Sequence, residues 1–498
     1  MRSSLFLSSL VAPSLAAYDV TSFGAVGDGT TDDSSSISKA LAAAAASGAP
    51  SVVLFPEGKT FLTGPINMST AMTLQVDGTL RAKSGNNSAA GIAGWPQIPP
   101  LPSYGNSRDG AYLQFQAFVY SNGADDIAIN GSGTIDGQGD WWWANQRNRS
   151  AVPSGRPNLI QFVNAVGVEV SGVTLRDSPF WCLHPVQSRD VHVHHMKIRS
   201  RMYAPNSDGV DPDSCRNVMI EHNDISTGDD GIAIKAGVCS DGSGSAAGGA
   251  GGAGGAGGAG GQLQGGPAPL VCSENAKFSD GTYLTQNVTV RHNTFRIGMG
   301  ISVGSESSGG IRDIFIHDNV LGLCDAGHCL DTCCGWGPAL HLKTALKRGQ
   351  FLEHIVFADN TIYNSSGFID LETNYQSGDD APVGYAPTVV RDIVFANNRA
   401  LGAGTGASFV CSVKDVCENI TVTNNTVAQS ADPWHCKFVH SFTAGGNTGE
   451  DALEACMKNS MNPPAAGGEA ASATRAPYAQ RKQEAVQAWA ESQSRGRQ

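Results

Sequence analysis

The feature that most constrains this chain is a repeat. A unit of the form apolar-x-apolar-x-x-Asn/His-x-x-apolar recurs as VEVSGVTL from Val168, VHVHHMKI from Val191, VMIEHNDI from Val218, VTVRHNTF from Val288, IFIHDNVL from Ile314, IVFADNTI from Ile355, IVFANNRA from Ile393 and ITVTNNTV from Ile420. Apart from one insert and longer gaps before Ile355 and Ile393, the period is roughly 23 to 27 residues, room for two or three short strands and their turns. A unit so small cannot bury a face alone, so copies must stack on one another. The expected architecture is all-β: one parallel β-helix running over 18–462, although 498 residues would hold two or three average domains. The Asn residues Asn223, Asn293, Asn319, Asn360, Asn398 and Asn425 are expected at turn positions that tolerate left-handed backbone, stacked as an amide ladder.

Composition agrees with many short strands. Gly is abundant at 61 residues, and only 16% of the chain is charged. One helix stands out: SSSISKALAAAAASG reads as a short Ala-rich segment with a serine N-cap and a Gly stop, placed to cover the first coil. Residues 240–266 form a Gly/Ala insert expected to be flexible, and 463–498 a polar tail.

Residues 1–17 carry a basic residue, a short apolar stretch and a small-residue end, as a secretory signal peptide does. Export is therefore expected, to the extracellular space or cell wall, and 12 cysteines suit an oxidising compartment. Cys239 and Cys272 bracket the insert, while Cys324, Cys329, Cys333 and Cys334 share one short loop. Disulfides are preferred there over a zinc site. Asn-x-Ser/Thr sequons at Asn67, Asn86, Asn130, Asn148, Asn287, Asn364, Asn419 and Asn424 are acceptors for glycosylation in a eukaryotic host. A formal charge of −12 argues against nucleic acid, which needs a basic face. No membrane association is expected, and the chain is read as a monomer.

The carboxylates are unevenly spread. NSDGVDPDS at 206–214 and STGDDGIAIKAG at 226–237 bring Asp208, Asp211, Asp213, Asp229 and Asp230 close together. Like charges repel, so such a cluster binds a cation, lies solvated in a loop, or performs acid and base chemistry. Asp208 and Asp229 are separated by about one coil, and coils stack about 4.8 Å apart, so these side chains can flank a substrate in a surface groove.

In the middle of a solenoid, these segments are similar to glycoside hydrolase family 28, the polygalacturonase family. Its Asn-Thr-Asp, Gly-Asp-Asp, Gly-His-Gly and Arg-Ile-Lys segments correspond in order to Asn206-Ser207-Asp208, Gly228-Asp229-Asp230, Gly298-Met299-Gly300 and His341-Leu342-Lys343. FGAVGDGTTDD, IDGQGDWWW, SPFWCLHP and VGSESSGGIRDI add to the likeness, which covers about residues 18 to 430. It implies a right-handed parallel β-helix and inverting hydrolysis of pectic polysaccharide, with Asp229 as general acid and Asp208 and Asp230 activating water. Inversion needs an acid and a base on opposite sides of the bond, about 6.5 to 9.5 Å apart, and crowding would raise at least one pKa and so supply the acid. The resemblance further implies that Lys343 contacts a substrate carboxylate and that Tyr375, in FIDLETNYQ, lines the cleft.

Two motif positions depart from the family: Met299 stands for histidine and His341 for arginine. Met299 is expected to pack in the groove wall, since a thioether transfers no proton. His341 is expected to neighbour Met299 and to serve, when protonated, as a weaker carboxylate partner than arginine. Asp211 and Asp213 are read as holding their loop through hydrogen bonds, His192 and His194 as solvated surface, and at least one of Trp141, Trp142 and Trp143 as core. No cofactor or metal is expected. A β-helix that binds polysaccharide without cutting it, and a Ca²⁺-dependent β-eliminating lyase, remain as alternatives.

Overall fold

A computed structural model describes residues 16–238, 283–323 and 337–458, apart from 49, 89–90, 100, 102, 104–112, 149, 347, 376–387, 404, 413–416, 429–433, 449–452 and 457. The expectations for the insert, the polar tail, and the cysteines at 239, 272, 324, 329, 333 and 334 lie outside those residues, as does all but the end of the leader.

Successive coils lay their strands side by side in parallel register. One face is a 13-stranded sheet running from Ala16–Asp19 to Phe442–Gly445, and a second is a 12-stranded sheet from Asp28–Asp32 to Thr426–Val427. The third face is divided between a 4-stranded sheet ending at Leu183–Val186 and a 6-stranded sheet beginning at Asp230–Ile234. Between them lies the coil of NSDGVDPDS, joined only by isolated bridges: Val210 to Leu183 and Ile232, and Asp213 to Val186 and Lys235. Pro212 sits between the bridging residues and has no N–H to give a ladder. The break in the sheet therefore coincides with the carboxylate cluster.

Alternation places one apolar residue per coil over the next. Val170, Val193, Ile220, Val290, Ile316, Phe357, Phe395 and Val422 follow one another in register, all fully buried. The rings of Phe357 and Phe395 stack with centroids 4.9 Å apart. Trp142 is fully buried and Trp143 nearly so, as expected of that tryptophan run.

The amide ladder is present. Each Nδ2 donates to the next Oδ1, from Asn223 through Asn293, Asn319, Asn360, Asn398 and Asn425 to Asn447, at 2.9 to 3.1 Å. Left-handed backbone falls one residue earlier than expected, at His222, His292, Asp318, Asp359, Asn397 and Asn424. The ladder residue keeps ordinary backbone and turns its amide inward, where it also caps strand carbonyls such as Val290 O. Asn319→Ala would leave the N–H and Nδ2 of Asn293 and the Val290 carbonyl without these partners. We expect roughly 2 to 4 kcal/mol of lost stability in urea unfolding, since each buried orphan costs about 1 to 3 kcal/mol.

The N-terminal helix spans Ser34–Ala46 and buries Ile37, Ala40, Leu41 and Ala44 over the first coil. Its N-cap residue is Asp33 rather than a serine. The Asp33 carboxylate accepts from the N–H groups of Val26 and Gly27, so it pins the preceding loop instead of the helix. Cys411–Cys417 and Cys436–Cys456 are disulfides, and Cys182 and Cys215 are buried thiols. Among the described residues, no helix is long and apolar enough to cross a membrane.

Candidate active site

The bridge between Val210 and Ile232 aligns Asp208 with Asp230, two residues earlier on each chain segment, in adjacent coils. Gly209 N–H donates to the Asp230 carbonyl (3.0 Å), and the Asp208 carbonyl accepts from Cys182 N–H (2.8 Å). Asp229 lies one residue before, where its Oδ1 accepts the Asp230 N–H at 3.2 Å. All three are buried, with Asp229 the most accessible at 7%. Small residues make this approach feasible: a Cβ at Gly228 would come 2.3 Å from the Ala204 carbonyl oxygen.

Two lysines hold the cluster from opposite sides. Lys343, on Pro338–Lys343, donates to Asp230 Oδ2 at 2.8 Å, and Ser302 Oγ donates to Oδ1 at the same distance. Lys235, on the coil of Asp230, lies 3.2 Å from Glu306, 3.5 Å from Asp208 and 3.8 Å from Asp211, with its ammonium 4.3 Å from the Trp181 ring centroid. Burial opposes the charge on both lysines, but the facing carboxylates outweigh it and hold both pKa values above normal. Both ammonium groups are therefore permanent at neutral pH.

The aspartates answer differently. Burial pushes the Asp208 carboxyl far up, to about 8, and the charges of Asp229 and Asp230 add to this against the pull of Lys235 and Lys343. Asp211 is also held well above the ordinary carboxylate range, again chiefly by burial. Neither of its oxygens has a hydrogen-bond partner, so it does not hold its loop as expected. Asp213 does: its Oδ1 accepts from Ser214 Oγ and Gly237 N–H, and its Oδ2 lies 3.4 Å from His184 Nε2. Burial keeps His184 neutral despite that carboxylate. Burial, with the neighbouring carboxylate charges adding to it, thus leaves a retained proton within the site at neutral pH. In a coupled cluster, such a proton belongs to the group rather than to one oxygen.

Tyr375 joins the site. Its N–H donates to the Thr344 carbonyl (3.0 Å), and its ring centroid is 4.9 Å from Lys343 Nζ. Burial, aided by nearby carboxylates, raises its hydroxyl pKa against the opposing pull of Lys343, so the phenol keeps its proton and can donate to a sugar oxygen. His341 is buried on the strand of Lys343, with Nε2 at 3.2 Å from Glu372 Oε1 and Nδ1 at 3.5 Å from Ser302 Oγ. The imidazole expected to meet a substrate carboxylate therefore already faces a carboxylate of the protein.

Met299 does not neighbour His341. The register places Ser302 opposite His341, and Met299 pairs with Asp230. Its side chain lies along the next coil, where a Cβ at Gly337 would come 2.7 Å from Met299 Cβ and Cγ, a wall position as expected of a thioether. Outside the site, His192 and His194 project from the 13-stranded sheet with side chains 43% and 21% exposed, the solvated face anticipated for them.

Lys235, Glu306, Ser302 and Trp181 were not foreseen. A signal for Lys235 existed, since GIAIKAG is otherwise apolar and small, and lysine is almost never fully buried unless paired. Beyond the carboxylates, Arg156, Asn158, Gln161, Phe180, Trp181 and His184 line a shallow depression on the earlier coils.

Comparison with known proteins agrees with this geometry. The model of glycosyl hydrolases family 28 matches residues 46–255 and 279–446. A Vitis vinifera protein described as a "Probable polygalacturonase" is 28% identical over 437 residues, covering 85% of this chain and 77% of that one. Among solved structures, an exopolygalacturonase from Thermotoga maritima superposes with a TM-score of 0.61 at 23% identity, over 86% of this chain and 92% of that one. The polygalacturonase of Erwinia carotovora gives 0.57 at 20% identity, over 88% and 99%. Both share the right-handed parallel β-helix.

Proposed function

The chain belongs to glycosyl hydrolase family 28, and from that premise we propose that it is an exported hydrolase that cuts galacturonan-type pectic polysaccharide with inversion. The observation that carries this reading is the pairing of a proton-retaining Asp208 with the Lys343-bound Asp230 in adjacent coils, with Asp229 beside them. Hydrolysis with inversion requires one carboxyl to protonate the departing oxygen while carboxylate activates water on the other face. Asp229, the most accessible of the three, delivers the cluster's proton to the leaving group. Asp230, fixed by Lys343 and Ser302, and Asp208 orient and deprotonate the water; Asp208 passes its own proton into the cluster as substrate enters. Lys343 and Tyr375 supply a cation and a hydroxyl donor for a uronate ring, and the depression around Arg156 extends the binding track.

The test is incubation of the purified protein with a panel of pectic, other uronic-acid and neutral polymers, followed by sizing of products and reducing-end assay. Shortened galacturonan with new reducing ends is expected. Met299 and the occupied His341 favour one other reading, a β-helix that binds the polymer without cutting it. Retention on a galacturonan column with no new reducing ends from any polymer would establish that reading instead.

A further inference from the structure

The corner between the 13-stranded and 12-stranded sheets carries a row of histidines that the hydrolytic scheme does not use. Each coil turns there through a left-handed residue, one position before the point occupied by the amide ladder in later coils. The ladder side chain points inward, so the side chain before it is left outside. Three successive coils place histidine at this corner: His195, His222 and His292, with φ of +54°, +56° and +54°, all exposed. The His195 and His222 rings stack with centroids 5.2 Å apart and planes 23° from parallel; His222 and His292 follow at 5.1 Å and 19°. That spacing is close to the rise of one coil, about 4.8 Å, so the imidazoles form a file along the helix axis.

The charges around the file are largely engaged with one another. Glu221 accepts from Arg291 Nε at 2.7 Å, lies 3.0 Å from His192 Nε2, and reaches His222 only at 3.9 Å. Asp318 is 2.6 Å from His317 Nδ1, and the His317 ring stands 6.2 Å beyond His292. On the 12-stranded sheet, Asp224 pairs with Arg199 and Arg296, and Lys197 is exposed beside them. Glu169 lies 3.4 Å from His194 Nε2. Burial lowers the His194 pKa and the charge of His192 adds to this, so His194 Nδ1 accepts from His195 Nδ1, 2.9 Å away, and the positive charge of that pair falls on the corner. The permanent charges balance, so each imidazole that gains a proton makes the corner more positive. The next two corners are Asp318 and Asp359, where the file ends.

We propose that this corner is a second binding surface, separate from the groove, which holds a uronic-acid polymer along the helix axis when its histidines are protonated. A uronate chain carries a carboxylate on every ring, and a pyranose ring is about as long as one coil is thick, so the polymer offers one charge for each coil it crosses. Imidazoles charge as pH falls through about 6.5, where carboxylates near pKa 4 are still ionised. Stacked imidazolium ions repel one another, and an anion laid along them relieves that repulsion, so binding draws protons onto the file. The choice of a uronate as partner rests on the proposed galacturonan function; the acid-charged surface does not.

The experiment compares untagged Asp229→Asn with the same chain carrying His195→Asn, His222→Asn and His292→Asn. Asparagine suits this corner, since Asn397 and Asn424 hold it on later coils with φ of +57° and +55°. Both proteins keep the same groove, so the difference between them reports the corner. At pH 5 the chain with histidines should bind polygalacturonate about tenfold more tightly, the combined worth of three exposed charge pairs. At pH 7.5 the two should bind it equally, and trigalacturonate, short enough for the groove alone, should not distinguish them at either pH. Proton NMR of the imidazoles should show the His222 pKa rising when polygalacturonate is added. Equal affinity at pH 5, a difference that persists at pH 7.5, or an unmoved His222 titration would overturn the surface. Acid-dependent binding of dextran sulfate but not of polygalacturonate would overturn the uronate as its partner. Failure of the hydrolytic reading shows instead as no new reducing ends from any polymer in the parent, and leaves these binding comparisons unaffected.

Discussion

Asp229→Asn is expected to fold normally and to hydrolyse galacturonan about 10² to 10⁴ times more slowly than the parent, the ordinary worth of general acid assistance. The amide keeps the shape of the side chain and still accepts the Asp230 N–H through its oxygen, so the turn at Gly228 should survive. What it cannot do is donate to a departing oxygen with concerted loss of a proton. The loss should fall mainly in kcat, with KM little changed, because Lys343 and Tyr375 remain to hold the sugar. Circular dichroism and steady-state rates on the same preparation check this. Turnover within a few-fold of the parent would remove Asp229 from the acid role and leave Asp208, which retains a proton, to be tested in its place.

The second large effect concerns stability. Lys235→Met should destabilise the protein by about 3 to 5 kcal/mol at neutral pH, because breaking a buried ion cluster from one side leaves uncompensated charge. The ammonium stands 3.2 to 3.8 Å from Glu306, Asp208 and Asp211, and all three carboxyls are nine-tenths or more buried. The sign of the pH dependence follows. Burial already raises the carboxyls of Asp208 and Asp211, and without Lys235 they rise still further above their unfolded values near 4, so stability is retained below that pH and lost as pH rises. The deficit relative to the parent should therefore shrink toward pH 4 and grow toward pH 8. Urea unfolding across that range measures it. A deficit that does not vary with pH would mean that the volume lost on replacing Lys235, rather than its charge, dominates.

Much of the fold can be read from the repeat, because a period of one coil records the same environment again and again. Asn293, Asn319 and Asn360 each sit at the same point of an apolar-x-apolar frame, and that regularity announces a ladder before any coordinates are known. What periodicity does not resolve is a shift of one residue. The left-handed turn belongs to His292 and Asp318 rather than to the asparagines after them, since both positions repeat with the same period. At the helix start, Asp33 and Ser34 are equally good caps by type, and only the tertiary claim of Val26 and Gly27 on Asp33 separates them.

The site was legible where neighbours in sequence act together, as in Asp229 and Asp230, and where a motif carries its own spacing, as in Asp208 and Lys343. It was not legible where function depends on cross-coil register. Lys235 reaches Glu306 across the interval that holds the insert, and His341 meets Asp370 and Glu372 only because the intervening coil closes at a particular length. Asp211 resembles Asp213 in every local respect, yet one is hydrogen-bonded on both oxygens' sides and the other on neither. The distinction comes from the break in the sheet at Pro212 and from Gly237, whose N–H reaches Asp213 alone.

The central claim, that carboxylates on adjacent coils hydrolyse a uronic-acid polymer by direct attack of water, is tested most directly by following the first turnovers on oligogalacturonate by proton NMR. The newly formed reducing end should carry the anomeric configuration opposite to that of the bond cut, with no unsaturated sugar at the other new end. A retained anomer would contradict direct attack and point to a covalent intermediate, and an unsaturated product would contradict hydrolysis altogether.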